Sequence, residues 1–300
     1  MINYNSAAAL KSFMKSEGLA MQKKFGQNFL INPSLRQTLT SALGANGGDD
    51  VWEVGPGLGA MTALLLEGGF NVYAFEIDAG FIRVLKKIFF DKKNFFLIEG
   101  DVMKKWESQK AAPLLLGNLP YNIAAALLAD LIEKSRHFSR IVVTVQKEVA
   151  LRMAASAGSP DYSSFSVLCA SVYTIKPLMT IRPSSFYPQP NVDSMGVLLE
   201  KKNNTEQYPA VFYPLVRALF KSRRKTIKNN LMAFFSSRTG NHDLCTAILH
   251  ETGLSGKERA EELELEAFLS MAKSIRNMNF SREGARASFS NFSDSPCFNL

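Results

Sequence analysis

From Asp50 to about Val145, short apolar runs alternate with stretches whose apolar residues recur at helical spacing. Asp50 to Val54, Asn71 to Glu76, Asn94 to Ile98, Leu114 to Gly117 and Arg140 to Val145 read as five strands. Helical patterns over Ala60 to Glu67, Phe81 to Phe89 and Ile123 to Lys134 lie between them. Such repetition predicts an α/β fold, a mostly parallel sheet with helices on both faces. Val167 to Ile175 and Met195 to Glu200 are expected to add antiparallel strands at one edge. The polar stretch Lys201 to Gln207 reads as a linker. Beyond it, Tyr213 to Phe235, His242 to Thr252 and Ala260 to Ile275 show helical spacing, which predicts a small all-helical C-terminal domain. Asn277 to Leu300, rich in Ser, Asn and Arg, reads as a mobile tail. The expected division is an N-terminal extension (1–20), the sheet domain (21–204), the helical domain (205–276) and the tail (277–300).

Composition adds a constraint on partners. With 46% hydrophobic and 21% charged residues the chain can bury a sizeable core, and its net charge of +8 favours a polyanion. Cys169, Cys245 and Cys297 form no close pair, and His137, His242 and His250 do not group with them, so neither a disulfide framework nor a metal site is expected. No apolar leader or bilayer-length run is visible, and the reading is cytoplasmic, without a membrane.

The first strand runs into Glu53-Val-Gly55-Pro-Gly57-Leu-Gly59, where glycines let the backbone turn sharply and approach a ligand. Glu76 ends the second strand, placed for an acid that accepts hydrogen bonds from ribose hydroxyls. Asp101 follows the third, where its carboxylate can receive the exocyclic amine of an adenine. Both acids are also suited to cap the helices after them. NAD and S-adenosylmethionine both contain adenosine, so these residues do not separate a dehydrogenase from a methyltransferase.

Gly117-Asn118-Leu119-Pro120-Tyr121-Asn122, at the end of the fourth strand, does separate them. An aromatic amine is a poor nucleophile because its lone pair is delocalised into the ring. Methylating it calls for acceptors that hold both N6 hydrogens and stabilise the positive charge that grows on nitrogen. The Asn118 side-chain oxygen and the Pro120 carbonyl suit that task, and Tyr121 offers a ring against which an extruded base stacks. On the stiff loop Pro183-Ser-Ser-Phe186-Tyr-Pro188-Gln-Pro190, Phe186 is either a clamp on the other face of that base or simply core.

With these motifs the chain closely resembles the small-subunit ribosomal RNA adenine N6,N6-dimethyltransferases, from about Lys23 to Ala272. Lys24-Phe-Gly26-Gln27-Asn28-Phe29-Leu30 is similar to the family's cofactor-covering segment, and Val145-Gln-Lys-Glu-Val149 and Phe220-Lys-Ser-Arg-Arg-Lys-Thr226 are further family-like runs. The resemblance implies a Rossmann-like class I methyltransferase sheet. It implies contacts to S-adenosylmethionine from the Asn28 side chain, the Leu30 backbone, Gly55, Glu76, Asp101 and Asn118, with Gly57 in the same turn and S-adenosylhomocysteine as product. It also implies two methylations on each of two neighbouring adenosines near the 3′ end of small-subunit RNA, within a pre-ribosomal particle. A monomer is expected, and the chemistry requires no metal. The macrolide-resistance methylases share the fold but usually carry Ile in place of Leu119 and lack the Phe186 loop. One departure is Ser163-Ser-Phe-Ser166, where relatives often have a glycine-led run.

Lys221, Arg223, Arg224, Lys225 and Lys228 fall within eight positions, read here as part of the first C-terminal helix. A charge run is often only a solvated face. Beside an adenine-methylating site, it is expected to form a phosphate-contacting ridge.

Overall fold

The computed structural model describes residues 2–22, 26–44, 47–119, 123–203, 208–236 and 243–280. Contacts divide the chain into two compact units, Met1–Leu151 with Tyr173–Lys201, and Arg152–Val172 with Lys202–Leu300.

The first unit begins with α1 (Ala7–Ser16), capped by the Ser6 hydroxyl accepting the Ala9 N–H, with Leu10 and Met14 buried one turn apart. The anticipated extension thus packs as part of this unit, against Leu58, Phe81 and Val84. A two-residue strand, β1 (Phe29–Leu30), leads into α2 (Pro33–Ser41), whose start is set by the Asn32 side-chain cap and by proline in the first turn. Then come β2 (Asp50–Val54), α3 (Ala60–Glu67), β3 (Asn71–Glu76), α4 (Ala79–Ile88), β4 (Phe95–Glu99), α5 (Val102–Lys105), β5 (Leu114–Asn118), α6 (Ala124–Glu133) and β6 (Arg140–Gln146). After α7 (Lys147–Ala154) and α8 (Ser164–Val172) the sheet resumes with β7 (Tyr173–Ile181), β8 (Phe186–Tyr187) and β9 (Ser194–Lys201).

The seven-stranded sheet has the order β4-β3-β2-β5-β6-β9-β7. Pairing is parallel from β4 to β6, and β9 runs antiparallel to both β6 and β7. The central parallel strands β2 and β5 are buried on both sides, which matches their unbroken apolar runs, while the edge strand β4 leaves Phe96 exposed. Strand order reverses between β2 and β5, and a crevice opens at the carboxyl ends of strands where this happens. Register aligns Val54 with Gly117 there, which sets the turn after β2 beside Asn118.

Two sequence expectations need correction. The strand expected from Val167 is helix α8 as far as Val172, and β7 begins only at Tyr173. Seven of its residues, among them Phe165, Leu168 and Val172, are buried, so its β-branched and apolar content reflects a helix buried nearly all round. The serines at 163–166 start it: the Ser163 N–H donates to Ser166 Oγ, and Ser166 Oγ donates to the Arg152 carbonyl. Segment 152–172 accordingly clusters with the helices, not with the sheet.

The second unit adds α9 (Phe212–Phe220), α10 (Ile227–Ser236), α11 (Asp243–Thr252) and α12 (Leu265–Phe280). The single helix expected over Tyr213 to Phe235 is therefore two, and the basic residues Lys221, Arg223, Arg224 and Lys225 occupy the turn between them. The buried amide of Asn230 donates to the carbonyls of Leu219 and Ser222, taking up acceptors that α9 would need to continue. Residues 281–300 of the expected tail lie outside the described residues.

Candidate functional site

A cavity of about 320 Å³ opens at the reversal of strand order in the first unit, within the size range of small-molecule sites. Asn28, Leu30, Gly55, Gly57, Glu76, Asp101 and Asn118 all line it. Residues separated by 90 positions in sequence are thus brought to one wall-enclosed space.

The turn after β2 needs its glycines, since Gly55 and Gly57 have φ of 70° and 59°. At Gly57 a Cβ would stand 2.8 Å from Phe29 Cε1, so this turn and β1 are in contact. The Gly57 N–H donates to Glu76 Oε2 at 3.0 Å, while the N–H groups of Ile77 and Asp78 donate to Glu76 Oε1. Three backbone donors fix this carboxylate in place. Burial nevertheless dominates and pushes its pKa up to about 7. Glu76 caps no helix; Asp78 caps α4 instead. Asp101 caps α5, its Oδ1 accepting the Met103 N–H, and the residue also lines the cavity.

Asn118 ends β5 and its Nδ2 donates to the Asn28 carbonyl at 2.6 Å. A carbonyl only accepts, so the NH₂ end of the amide faces β1 and Oδ1 is the end that remains for a hydrogen-bond donor. The Asn28 side chain donates to the Gly26 carbonyl. Pro120 and Tyr121, expected to supply the second acceptor and a stacking ring, lie outside the described residues.

Phe186 is a correction. It is 2% exposed, pairs through β8 with Leu30 of β1, and packs with Leu30, Leu39, Ile181 and Leu198. Of the two readings the sequence left open, the structure shows the core one: the ring is buried in the cluster that holds Leu30 and is not among the residues that line the cavity.

Sequence reasoning missed Arg36. This buried arginine of α2 lines the cavity and donates to the Leu30 carbonyl at 2.6 Å. A signal was present, because positions 36, 39, 40 and 43 form one helical stripe and all four are buried. Tyr4 was also missed; its hydroxyl donates to the Leu58 carbonyl in the glycine turn.

Glu53, on β2, is 1% exposed; its Oε2 accepts the Thr62 hydroxyl at 2.7 Å, and Oε1 has no partner among the described residues. Burial pushes its pKa from 4.5 up to about 7, opposed by the Thr62 hydrogen bond and assisted by the nearby Glu76 charge. The folded chain therefore holds this proton more tightly than the unfolded chain. Stability is lost as pH rises from the unfolded value through about 7, the reverse of an ion-paired acid. Glu53→Gln, which carries no charge at any pH, is expected to flatten the decline of melting temperature between about pH 5 and 8. Parallel melting curves for the two proteins across that range would discard the assignment.

In the second unit, Lys221, Arg224, Lys225 and Lys228 are exposed. Arg223 is engaged: its guanidinium pairs with Glu261 at 2.9 Å and donates to the Pro160 carbonyl. Among the described residues no group of three or more His, Cys, Asp or Glu is arranged to hold a metal, and no helix is long and apolar enough to cross a membrane.

The family model described as ribosomal RNA adenine dimethylase matches residues 18–277. The ribosomal RNA small subunit methyltransferase A of Treponema denticola is 49% identical over 92% of this chain and 97% of its own length. A dimethyladenosine transferase structure from Plasmodium falciparum superposes with a TM-score of 0.73 at 25% identity, over 83% of this chain and 97% of that one. The 23S rRNA methyltransferase ErmE, at 18% identity and a TM-score of 0.60 over 82% and 99% of the two chains, shares the fold. That fold is the Rossmann-like class I methyltransferase sheet, and by family model and curated relatives alike this chain belongs to the ribosomal RNA adenine dimethylases.

Proposed function

We propose that this chain transfers two methyl groups in succession to N6 of each of two adjacent adenosines near the 3′ end of small-subunit ribosomal RNA, within a pre-ribosomal particle. As a member of its family it is an rRNA adenine dimethyltransferase, and its methyl donor is S-adenosylmethionine. The cavity residues fit that group. Two acids, Glu76 and Asp101, stand at the strand ends where ribose hydroxyls and an adenine amine are received, beside a glycine turn that admits close approach. When bound, the cofactor supplies an electrophilic methyl on its sulfonium.

The observation that carries the reading is Asn118, on the cavity wall with its Nδ2 anchored on the Asn28 carbonyl. Its Oδ1 accepts an N6 hydrogen of the target adenine and stabilises the charge that develops on nitrogen. The Pro120 carbonyl takes the second hydrogen and Tyr121 stacks on the ring. Mass spectrometry of ribosomal RNA from a strain lacking the gene tests this. Dimethyladenosine is expected to vanish from the 3′ region of the small-subunit RNA, and unchanged modification there would end the proposal.

The helical unit is the RNA-docking part in this reading, through Lys221, Arg224, Lys225 and Lys228. Arg223 is a poor probe of RNA contact, because reversing it sets like charge against Glu261. Reversing Arg224 and Lys225 together is expected to weaken RNA binding and to lower the slope of log K against log salt by about 2. An unchanged slope in filter binding across a salt series would remove these residues from the interface. We further propose that the enzyme works as a monomer in the cytoplasm, where ribosomal particles are assembled.

A further inference from the structure

Among the described residues, three charged side chains line the cofactor cavity: Glu76 at the end of β3, Asp101 after β4, and Arg36 from α2. The two acids suit the adenosine end of the cofactor. Nothing so far gives Arg36 a task.

Arg36 is 5% exposed, so its charge has been withdrawn from water. Buried charges are normally paired with an opposite charge. The partners of Arg36 are instead neutral oxygens: the Leu30 carbonyl at 2.6 Å, the Tyr4 carbonyl at 3.3 Å and Asn5 Oδ1 at 2.5 Å. Its Nε has no partner among the described residues. A guanidinium presents five N–H donors, and these contacts occupy three. Nε is closed off from the cavity as the side chain stands, and the edge formed by Nε and Nη2 can clasp a carboxylate with two parallel hydrogen bonds once it turns toward the cavity.

The cofactor carries a nucleoside at one end and an amino acid at the other. With adenosine at Glu76 and Asp101, Arg36 is the charged side chain among the described lining residues that is left for the amino-acid end. We propose that Arg36 is the counter-charge that binds the carboxylate of the cofactor's methionine portion. The residues ahead of α1 fix its orientation, since Tyr4 and Asn5 hold two of its donors. The assignment rests on S-adenosylmethionine occupying this cavity.

Titration calorimetry on the full chain tests it with two probes, S-adenosylhomocysteine and the same molecule without its carboxylate. Arg36→Met is expected to weaken S-adenosylhomocysteine by about tenfold or more while changing the decarboxylated probe by less than about twofold. Equal losses on both probes would make Arg36 a structural staple for the N-terminal segment and overturn the proposal, as would no loss on either. If Arg36→Met does not melt cooperatively, Arg36→Lys takes its place. Lysine keeps the charge but not the fork, so a selective loss of about threefold is expected, and equal losses again overturn the proposal. Wild-type protein that binds neither probe would overturn the cofactor reading itself, an outcome distinct from equal losses in the variant.

Discussion

Asn118→Ala is expected to lower the rate of methyl transfer by about 10²–10³-fold while RNA affinity changes little. The magnitude is that of removing one preorganised polar group facing charge that develops in the transition state. The anchoring bond to the Asn28 carbonyl means that the substitution also releases the segment leading into β1, so cofactor affinity is expected to fall several-fold as well. Asn118→Asp separates the two effects. A carboxylate keeps an acceptor for N6 but sets an oxygen against the Asn28 oxygen, so it is expected to damage cofactor binding more than the alanine does. Single-turnover assays with labelled S-adenosylmethionine, alongside calorimetry, measure both. Alanine protein that transfers methyl at the wild-type rate would remove Asn118 from the chemistry.

Gly57→Ala is expected to raise the dissociation constant for the cofactor by about 5–30-fold, the equivalent of about 1–2 kcal/mol of left-handed backbone strain. Two features act together. The residue has φ of 59°, and its new methyl would stand 2.8 Å from Phe29 Cε1. That ring packs edge-on against Phe81 with centroids 5.5 Å apart, so it cannot yield without disturbing β1. A cycle with Phe29→Ala isolates the contact, because deleting the ring removes the clash and leaves only the backbone term. If the two substitutions prove strictly additive, the collision with Phe29 is not the cause.

Much of this architecture was legible in the chain because central parallel strands buried on both faces leave continuous apolar runs, and the five runs from Asp50 to Val145 are the five parallel strands, the edge strand β4 included. The glycine turn, Glu76, Asp101 and Asn118 were legible for a related reason: each sits at a strand's carboxyl end, where topology and not local propensity assigns the task. Local pattern failed where tertiary context ruled. In α8, β-branched residues are helical because the segment is buried nearly all round. The break after Phe220 depends on Asn230, a residue ten positions on whose amide reaches back to the carbonyl of Leu219. For Phe186 the proline loop left both a clamp and a core position open, and pairing of β8 with β1 turns it inward. Arg36 was passed over because a charged side chain on a short helix is usually solvated, and only the fold reveals that its stripe faces a cavity.

In the proposed function, the short hydrogen bond between Asn118 and Asn28 joins the acceptor for the RNA adenine to the segment beside the methyl donor. Equilibrium linkage makes such a connection symmetrical: whatever factor an RNA adenine adds to the affinity for the methyl donor, the donor returns to the affinity for RNA. On that reading one amide ties two very unequal molecules, a methyl donor and an RNA, to a single shared free energy.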